Sequence, residues 1–129
     1  MGEGFWIYIP VAAPSPVYSI NILGEVPNNA TNSIPLSTTY SMLGFPYASP
    51  IAWTNTQLSK VATLNDKIYY WKPESSSYSI ATYSKYFSGG WKTNWTGDNI
   101  TIDVGRGFWY YKASGGVRYW NEDRPYDLD

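Results

Sequence analysis

One short aromatic stretch occurs twice in the chain. The first copy, residues 2–8, reads G-E-G-F-W-I-Y, and the second copy, residues 105–111, reads G-R-G-F-W-Y-Y. In both copies two glycines, which permit a tight turn, precede a run of aromatic and β-branched residues, which suits a buried strand. We interpret the two copies as the same strand of two successive repeats of an ancestral module. A chain built in this way is expected to fold mainly as β-sheet.

The rest of the sequence supports the same fold class. Turn signals recur along the chain, and the short stretches between them alternate apolar and polar residues or are rich in aromatics. This spacing predicts an all-β domain, a sandwich or a barrel of about nine to ten short, mostly antiparallel strands. The predicted strands are residues 5–9, 17–23, 34–36, 40–45, 66–72, 78–83, 91–95, 99–104, 108–111 and 117–120.

One segment has a helical pattern. In residues 54–63, Leu58, Val61 and Ala62 fall at positions i, i+3 and i+4, and Thr54 or Thr56 can cap the first turn. We therefore predict one short helix near residues 54–63, packed over one end of a sheet.

Composition excludes two classes of partner. The chain has 129 residues, of which 19% are aromatic, and its 13 Tyr and 7 Trp suit half-exposed sheet faces and interfaces. Its formal net charge is −1 and only 15% of its residues are charged, so it lacks the basic face that nucleic-acid binding needs. The apolar runs, such as residues 5–9, are too short to span a bilayer. We expect one domain with no nucleic-acid partner and no membrane span.

The sequence also argues against catalysis. It contains no cysteine and no histidine, which excludes disulfides and thiol catalysis and removes the commonest general base and zinc ligand. Paired carboxylates can hydrolyse glycosides without histidine, but most of the ten acidic residues lie in predicted turns or near the C-terminus. Asp66 and Asp98 have the pattern of turn formers, and the spacing of Asp98 and Asp103 matches no calcium loop. We predict no enzymatic activity, no cofactor and no metal.

Three segments resemble a known kind of repeat. Residues 2–8, residues 17–23 and the step Gly24-Glu25-Val26 are similar to uncharacterised tandem β modules of large secreted bacterial proteins. Those modules close with a G-E-G-F-[FW] strand and continue from a G-E-V step into a G-[FY]-x-[ML]-L segment, where this chain has Y-S-M-L-G at residues 40–44. The resemblance implies one complete module, about residues 24–113, preceded by the closing strands 2–23 of a second module and followed by an acidic tail, residues 121–129. It implies no activity.

Composition favours an extracellular or cell-surface location. Sparse charge, abundant Ser, Thr, Asn and Tyr, and the lack of cysteine are common in bacterial surface proteins. Met1 is followed by Gly2-Glu3 with no signal peptide, which is expected of a mature or excised form.

The first functional hypothesis concerns the segment Phe5, Trp6, Ile7, Tyr8 and Ile9, the predicted assembly strand. An apolar strand of this kind invites edge pairing, so it must add to a sheet. It can pair within its own domain, as neighbouring elements usually do, or add to another copy of the chain. The second option predicts a structural, self-associating module, such as a filament or surface-layer subunit.

The alternative hypothesis is a carbohydrate-binding module. Trp91 and Trp95 are four residues apart in a predicted strand and so point to the same face, and Tyr83 and Tyr86 precede them. These four residues are the predicted glycan platform, although aromatic residues of this number also fill cores and cover sheets. Three N-x-[ST] sequons indicate surface turns, and they begin at Asn29, Asn94 and Asn99.

Overall fold

The structure is a computed structural model that describes residues 7, 29–36, 39–88 and 90–126, without the side chains of Phe87 and Trp91. The predicted strand 17–23 and, apart from Ile7, the predicted assembly strand lie outside these residues. The described chain contains nine strands, a 3-10 turn (Trp53–Asn55) and the helix α1 (Gln57–Lys60). The strands are β1 (Thr31–Leu36), β2 (Tyr40–Gly44), β3 (Ile51–Ala52), β4 (Lys67–Lys72), β5 (Ser77–Phe87), β6 (Trp91–Gly97), β7 (Thr101–Ile102), β8 (Gly107–Tyr111) and β9 (Arg118–Asp123).

These strands form three antiparallel sheets, which confirms the predicted all-β class. The large sheet has the strand order β2-β8-β4-β5-β6, while β1 pairs with β9 and β3 pairs with β7. Within the described strands the large sheet runs from β2 to β6 without closing on itself. The architecture is therefore sandwich-like and is not a closed barrel.

The second copy of the repeated aromatic stretch forms β8, a central strand of the large sheet. Its side chains alternate, because Phe108 and Tyr110 are buried in the core while Trp109 lies on the other face. Phe108 is opposite Leu43 of β2, and Tyr110 is opposite Ile68 of β4. A strand with neighbours on both sides can pack side chains on both of its faces, which explains why residues 108–111 are all aromatic.

The hydrophobic core lies on one face of the large sheet. Phe108 is its centre, with ring centroids 5.8 Å from Trp53 and 6.0 Å from Trp120. Trp120 comes from β9 and Trp53 from the 3-10 turn, so the two small sheets and the helical segment cover this face. The buried core residues are Ile34, Leu36, Leu43, Trp53, Leu58, Ile68, Tyr70, Ala81, Ile100, Ile102, Phe108, Tyr110 and Trp120.

The helix is shorter than predicted. Of the two predicted caps, Thr56 is the one observed, since its Oγ1 accepts a hydrogen bond from Ser59 N at 3.1 Å, and Leu58 is buried. However, α1 ends at Lys60, and Val61 is exposed instead of facing the core. The chain leaves the helix because Thr63 N donates to the Asp66 carboxylate at 2.9 Å, which redirects the backbone towards β4.

Several strand limits also differ from the prediction. β1 begins at Thr31, and β9 extends to Asp123, so residues 121–123 of the predicted acidic tail belong to a strand. β5 extends to Phe87, because every residue of β6 pairs with the second part of β5, from Ala81 to Phe87. Residues 96 and 97 belong to β6 instead of a turn. β7 contains only Thr101–Ile102, since Ile100 O accepts from Trp53 N at 2.8 Å beside the sheet. The two-residue strand β3, opposite β7, was too short for the sequence pattern to indicate.

Asp66 is the centre of a buried polar cluster. Its carboxylate accepts hydrogen bonds from Thr63 N at 2.9 Å, Tyr110 OH at 2.6 Å and Ala113 N at 2.8 Å, and it forms an ion pair with Arg118. Burial alone would raise the pKa of Asp66, but these donors outweigh it and hold the pKa below its usual value. Asp66 was predicted only as a turn former, and its bond to Thr63 N is local in that sense. The three long-range partners, which hold β8 and β9 to the start of β4, were not predicted.

Glu122 of β9 is a second buried carboxylate, with the opposite pH behaviour. Its Oε2 accepts from Trp120 Nε1 at 2.6 Å and from Gln57 N at 2.7 Å. Burial raises the pKa of Glu122 by more than these hydrogen bonds lower it. A raised pKa in the folded state means that the contribution of Glu122 to stability is present below its usual value of 4.5 and is lost as the pH rises through the folded pKa.

We expect Glu122→Gln to remove this pH-dependent loss. The glutamine side-chain oxygen can accept from both donors without becoming charged. The free energy of unfolding of the variant, relative to that of the wild type, should therefore increase as the pH rises above 4.5. Urea denaturation at a series of pH values measures this difference. Glu74→Gln, at an exposed loop position, is the control. Parallel curves for Glu122→Gln and wild type would contradict the assignment.

Candidate binding surfaces

The face of the large sheet opposite the core is lined with aromatic and apolar side chains, and we name it the outer aromatic face. These side chains alternate along each strand with the buried ones. The strand register places Met42, Trp109, Tyr69 and Ile80 in one row across four strands. The outer aromatic face consists of Tyr40, Met42, Tyr69, Trp71, Tyr78, Ile80, Trp109 and Tyr111.

Ring contacts hold this face together. The Tyr78 ring lies 5.0 Å from that of Trp71 and 6.2 Å from that of Tyr69, while the rings of Tyr40 and Tyr111 are 4.9 Å apart. Burial raises the pKa of Tyr69, and Tyr40, which hydrogen-bonds to it, raises it further together with Tyr111. The face therefore has an apolar surface with phenol hydroxyls gathered near one end, a combination typical of binding surfaces.

Exposure along the outer aromatic face is uneven. Tyr78 and Ile80 on β5 are 38% and 41% exposed, and Trp109 and Tyr69 are half-buried. Large apolar side chains that are adjacent and exposed indicate an interaction site more strongly than scattered ones do.

The two outermost strands of the described large sheet differ in chemistry. On β6, Lys92 is exposed, and the Asn94 Oδ1 accepts a hydrogen bond from Trp95 N at 2.9 Å. Both features disfavour the pairing of a further strand with β6. On β2, Met42 faces outwards and Leu43 faces the core, so this strand is apolar on both of its faces.

The structure places Tyr86 apart from two other residues of the predicted glycan platform. Tyr83 and Trp95 face each other across β5 and β6, with ring centroids 5.5 Å apart. Tyr86 is three residues further along β5, which places it on the opposite face of the strand. The side chain of Trp91 lies outside the described part of the chain. Of the predicted platform, only Tyr83 and Trp95 are seen together.

A cleft of about 260 Å³ lies beside Trp95, and we name it the Trp95 cleft. Its lining includes Ala81 and Gly97, which pair across β5 and β6 and have little or no side chain. The polar lining comes mainly from the segment between β6 and β7, residues 98–101. The sequence predicted Trp95 as a site residue, but not the cleft, because the Ala81–Gly97 pairing depends on strand register.

Gly97 is required for the backbone at this cleft. Its φ is +109°, and a Cβ added to it would lie 2.4 Å from Ile80 O. We expect Gly97→Ala to lower the free energy of unfolding by about 1–3 kcal/mol, because both the dihedral angle and the contact are strained. Gly116→Ala is the matched control, since a Cβ there meets nothing within 4 Å. Equal urea midpoints for the two variants would contradict this prediction.

Acidic side chains near the cleft serve the fold. The Asp98 carboxylate accepts from Ile80 N at 3.2 Å, and the Asp103 carboxylate accepts from Tyr70 OH at 3.0 Å. Among the described residues, no group of three or more acidic side chains is placed to hold a metal ion.

Of the predicted assembly strand, the structure describes Ile7, whose side chain is 48% exposed. The helices of the described chain are too short to cross a membrane. Comparison of the chain with protein-family models, with curated proteins and with solved structures gave no significant match.

Proposed function

We propose that this chain is a non-enzymatic structural module of the extracellular space that self-associates by strand addition, as the subunit of a filament or a surface layer. The observation that supports this most is the large sheet itself, in which β2 is one of the two outermost described strands and carries apolar side chains on both of its faces. Its partner is another copy of the same chain.

The assembly strand, residues 5–9, has a composition that matches this edge. In an extended strand Phe5, Ile7 and Ile9 point to one side and Trp6 and Tyr8 to the other, so both sides are apolar. Such a strand is stable only beside a sheet with apolar residues on both faces.

Of the two outermost described strands, β2 meets this requirement and β6 does not. Beside β2, one set of side chains extends the outer aromatic face next to Met42, and the other packs near Leu43 at the margin of the core. Main-chain hydrogen bonds supply affinity in this arrangement, and the alternating side chains supply register.

Strand addition between chains is head-to-tail. The donor segment and the acceptor edge are different surfaces, so each subunit can donate to one neighbour and accept from another. Such contacts produce a closed ring if the rotation between successive subunits returns to the first subunit, and an open filament if it does not.

A peptide competition experiment tests the proposal. A synthetic peptide of residues 2–10 should occupy the acceptor edge and lower the mean particle mass of the full chain, as measured by light scattering. A peptide of the same composition in scrambled order is the control, because its side chains no longer alternate between the two sides of the strand in the order of residues 5–9. If the two peptides have the same effect, residues 5–9 do not mediate assembly.

Carbohydrate binding is the second candidate function, with a cell-surface glycan as the partner. The specific observation in its favour is the Trp95 cleft, which combines an indole ring with polar side chains at the protein surface. Aromatic rings beside hydrogen-bonding groups are the usual composition of small-molecule sites.

A further inference from the structure

We propose that the Trp95 cleft binds one ring of a neutral saccharide. The inference rests on the second candidate function, carbohydrate binding, and it assigns the ligand class and the residues. It relocates the binding site from the predicted platform of four aromatic residues to the junction of β5, β6 and the segment that leads into β7.

The indole of Trp95 forms a fixed wall of the cleft. Its Nε1 donates to Ser59 O at 2.9 Å, and its ring lies 5.0 Å from that of Trp53 at an angle of 82°. Trp95 is only half-buried, so part of the ring faces solvent. A ring held in one orientation loses little conformational entropy when a ligand packs on it, which favours binding.

Polar side chains also line the cleft. Asn99 and Thr101 line the cleft, are exposed, and make no side-chain hydrogen bond within the described part of the chain. Asp98 also lines it, and one carboxylate oxygen is engaged by Ile80 N. Together they offer an amide, a hydroxyl and a carboxylate, groups that can bind the hydroxyls of a sugar.

Charge and size favour a neutral and small ligand. The described lining of the cleft contains no Lys or Arg, and the nearby ammonium of Lys72 lies 3.9 Å from the carboxylate of Asp98, so this lining does not favour an anion. The volume of about 260 Å³ is slightly below the range of about 300–1,000 Å³ that is common for drug-sized ligands. A single sugar ring, with an apolar C–H face for the indole and hydroxyls for the polar wall, fits both conditions.

The test is a glycan microarray of neutral oligosaccharides, probed with the full chain. A bound oligosaccharide is then titrated into isotopically labelled protein and followed by NMR. We expect the largest shifts at the backbone amides of residues 97–101 and at the Trp95 indole N–H. Asn99→Ala should weaken binding by about fivefold or more, the loss expected for one hydrogen bond, with an unchanged melting temperature.

Tyr78→Ala, on the outer aromatic face, is the matched control and should bind as the wild type does. Binding with shifts confined to the outer aromatic face, or unchanged affinity for Asn99→Ala, would overturn the cleft assignment and leave carbohydrate binding in place. No binding to any neutral glycan on the array would overturn both. Neither result bears on self-association, which light scattering measures separately.

Discussion

Replacing Phe108 by alanine should lower the free energy of unfolding by about 3–5 kcal/mol, a large share of the 5–15 kcal/mol typical of a small domain. Phe108 is 1% exposed and packs against Trp53 and Trp120, so truncation leaves a cavity between the large sheet and the elements that cover it. These two neighbours come from separate parts of the chain and are themselves buried, so neither can readily move to fill the space. Urea denaturation followed by tryptophan fluorescence measures the loss.

Tyr119→Ala is the control for this substitution. Tyr119 lies on β9 next to Trp120 but is 57% exposed, and removal of an exposed side chain usually changes stability by less than about 0.5 kcal/mol. A Phe108→Ala variant as stable as Tyr119→Ala would show that β8 is not a core strand.

Replacing Asp66 by alanine should cost about 3–5 kcal/mol, because it removes one partner of a buried ion pair. The substitution leaves Arg118 without its carboxylate, and the donors Tyr110 OH and Ala113 N lose their shared acceptor. Asp66→Asn keeps the shape of the side chain and one acceptor oxygen, so it should be less destabilising. Wild-type stability in the alanine variant would contradict the structural role of this cluster.

The same carboxylate predicts a pH dependence at the acidic end. Since the folded-state pKa of Asp66 is held below 3.8, its contribution to stability is present above that value and is lost as the pH falls through the folded pKa. The difference in the free energy of unfolding between wild type and Asp66→Ala should therefore shrink below pH 3.8. This trend is opposite to that of Glu122, so the two variants identify the two carboxylates independently.

Local periodicity allowed much of the described fold to be predicted. The strands β2, β4 and β8 were predicted to within two residues because each combines aromatic or β-branched residues with a clear turn signal at one end. Elements set by long-range pairing were predicted less well. β5 is longer than its sequence pattern predicts because it pairs with β6. The helix α1 is shorter than predicted because Thr63 N donates a hydrogen bond to the Asp66 carboxylate.

In the candidate sites, too, local features were predicted from the sequence and features set by long-range strand pairing were not. Trp95 was recognised from its spacing to Trp91, a local property of one strand. The outer aromatic face and the Trp95 cleft were not predicted, because both depend on which residues of four or five strands become neighbours. Tyr69, Ile80 and Trp109 are far apart in sequence and adjacent only once register is fixed.

The most direct test of self-association is the particle mass of the full chain in solution, measured by light scattering over a range of concentrations. We expect the mass to rise well above the 14.6 kDa of one chain as the concentration increases. A chain lacking residues 1–16 should remain at its own monomer mass, with its β-sheet circular dichroism retained as the control for folding. A full chain that stays at 14.6 kDa at every concentration would contradict assembly by strand addition.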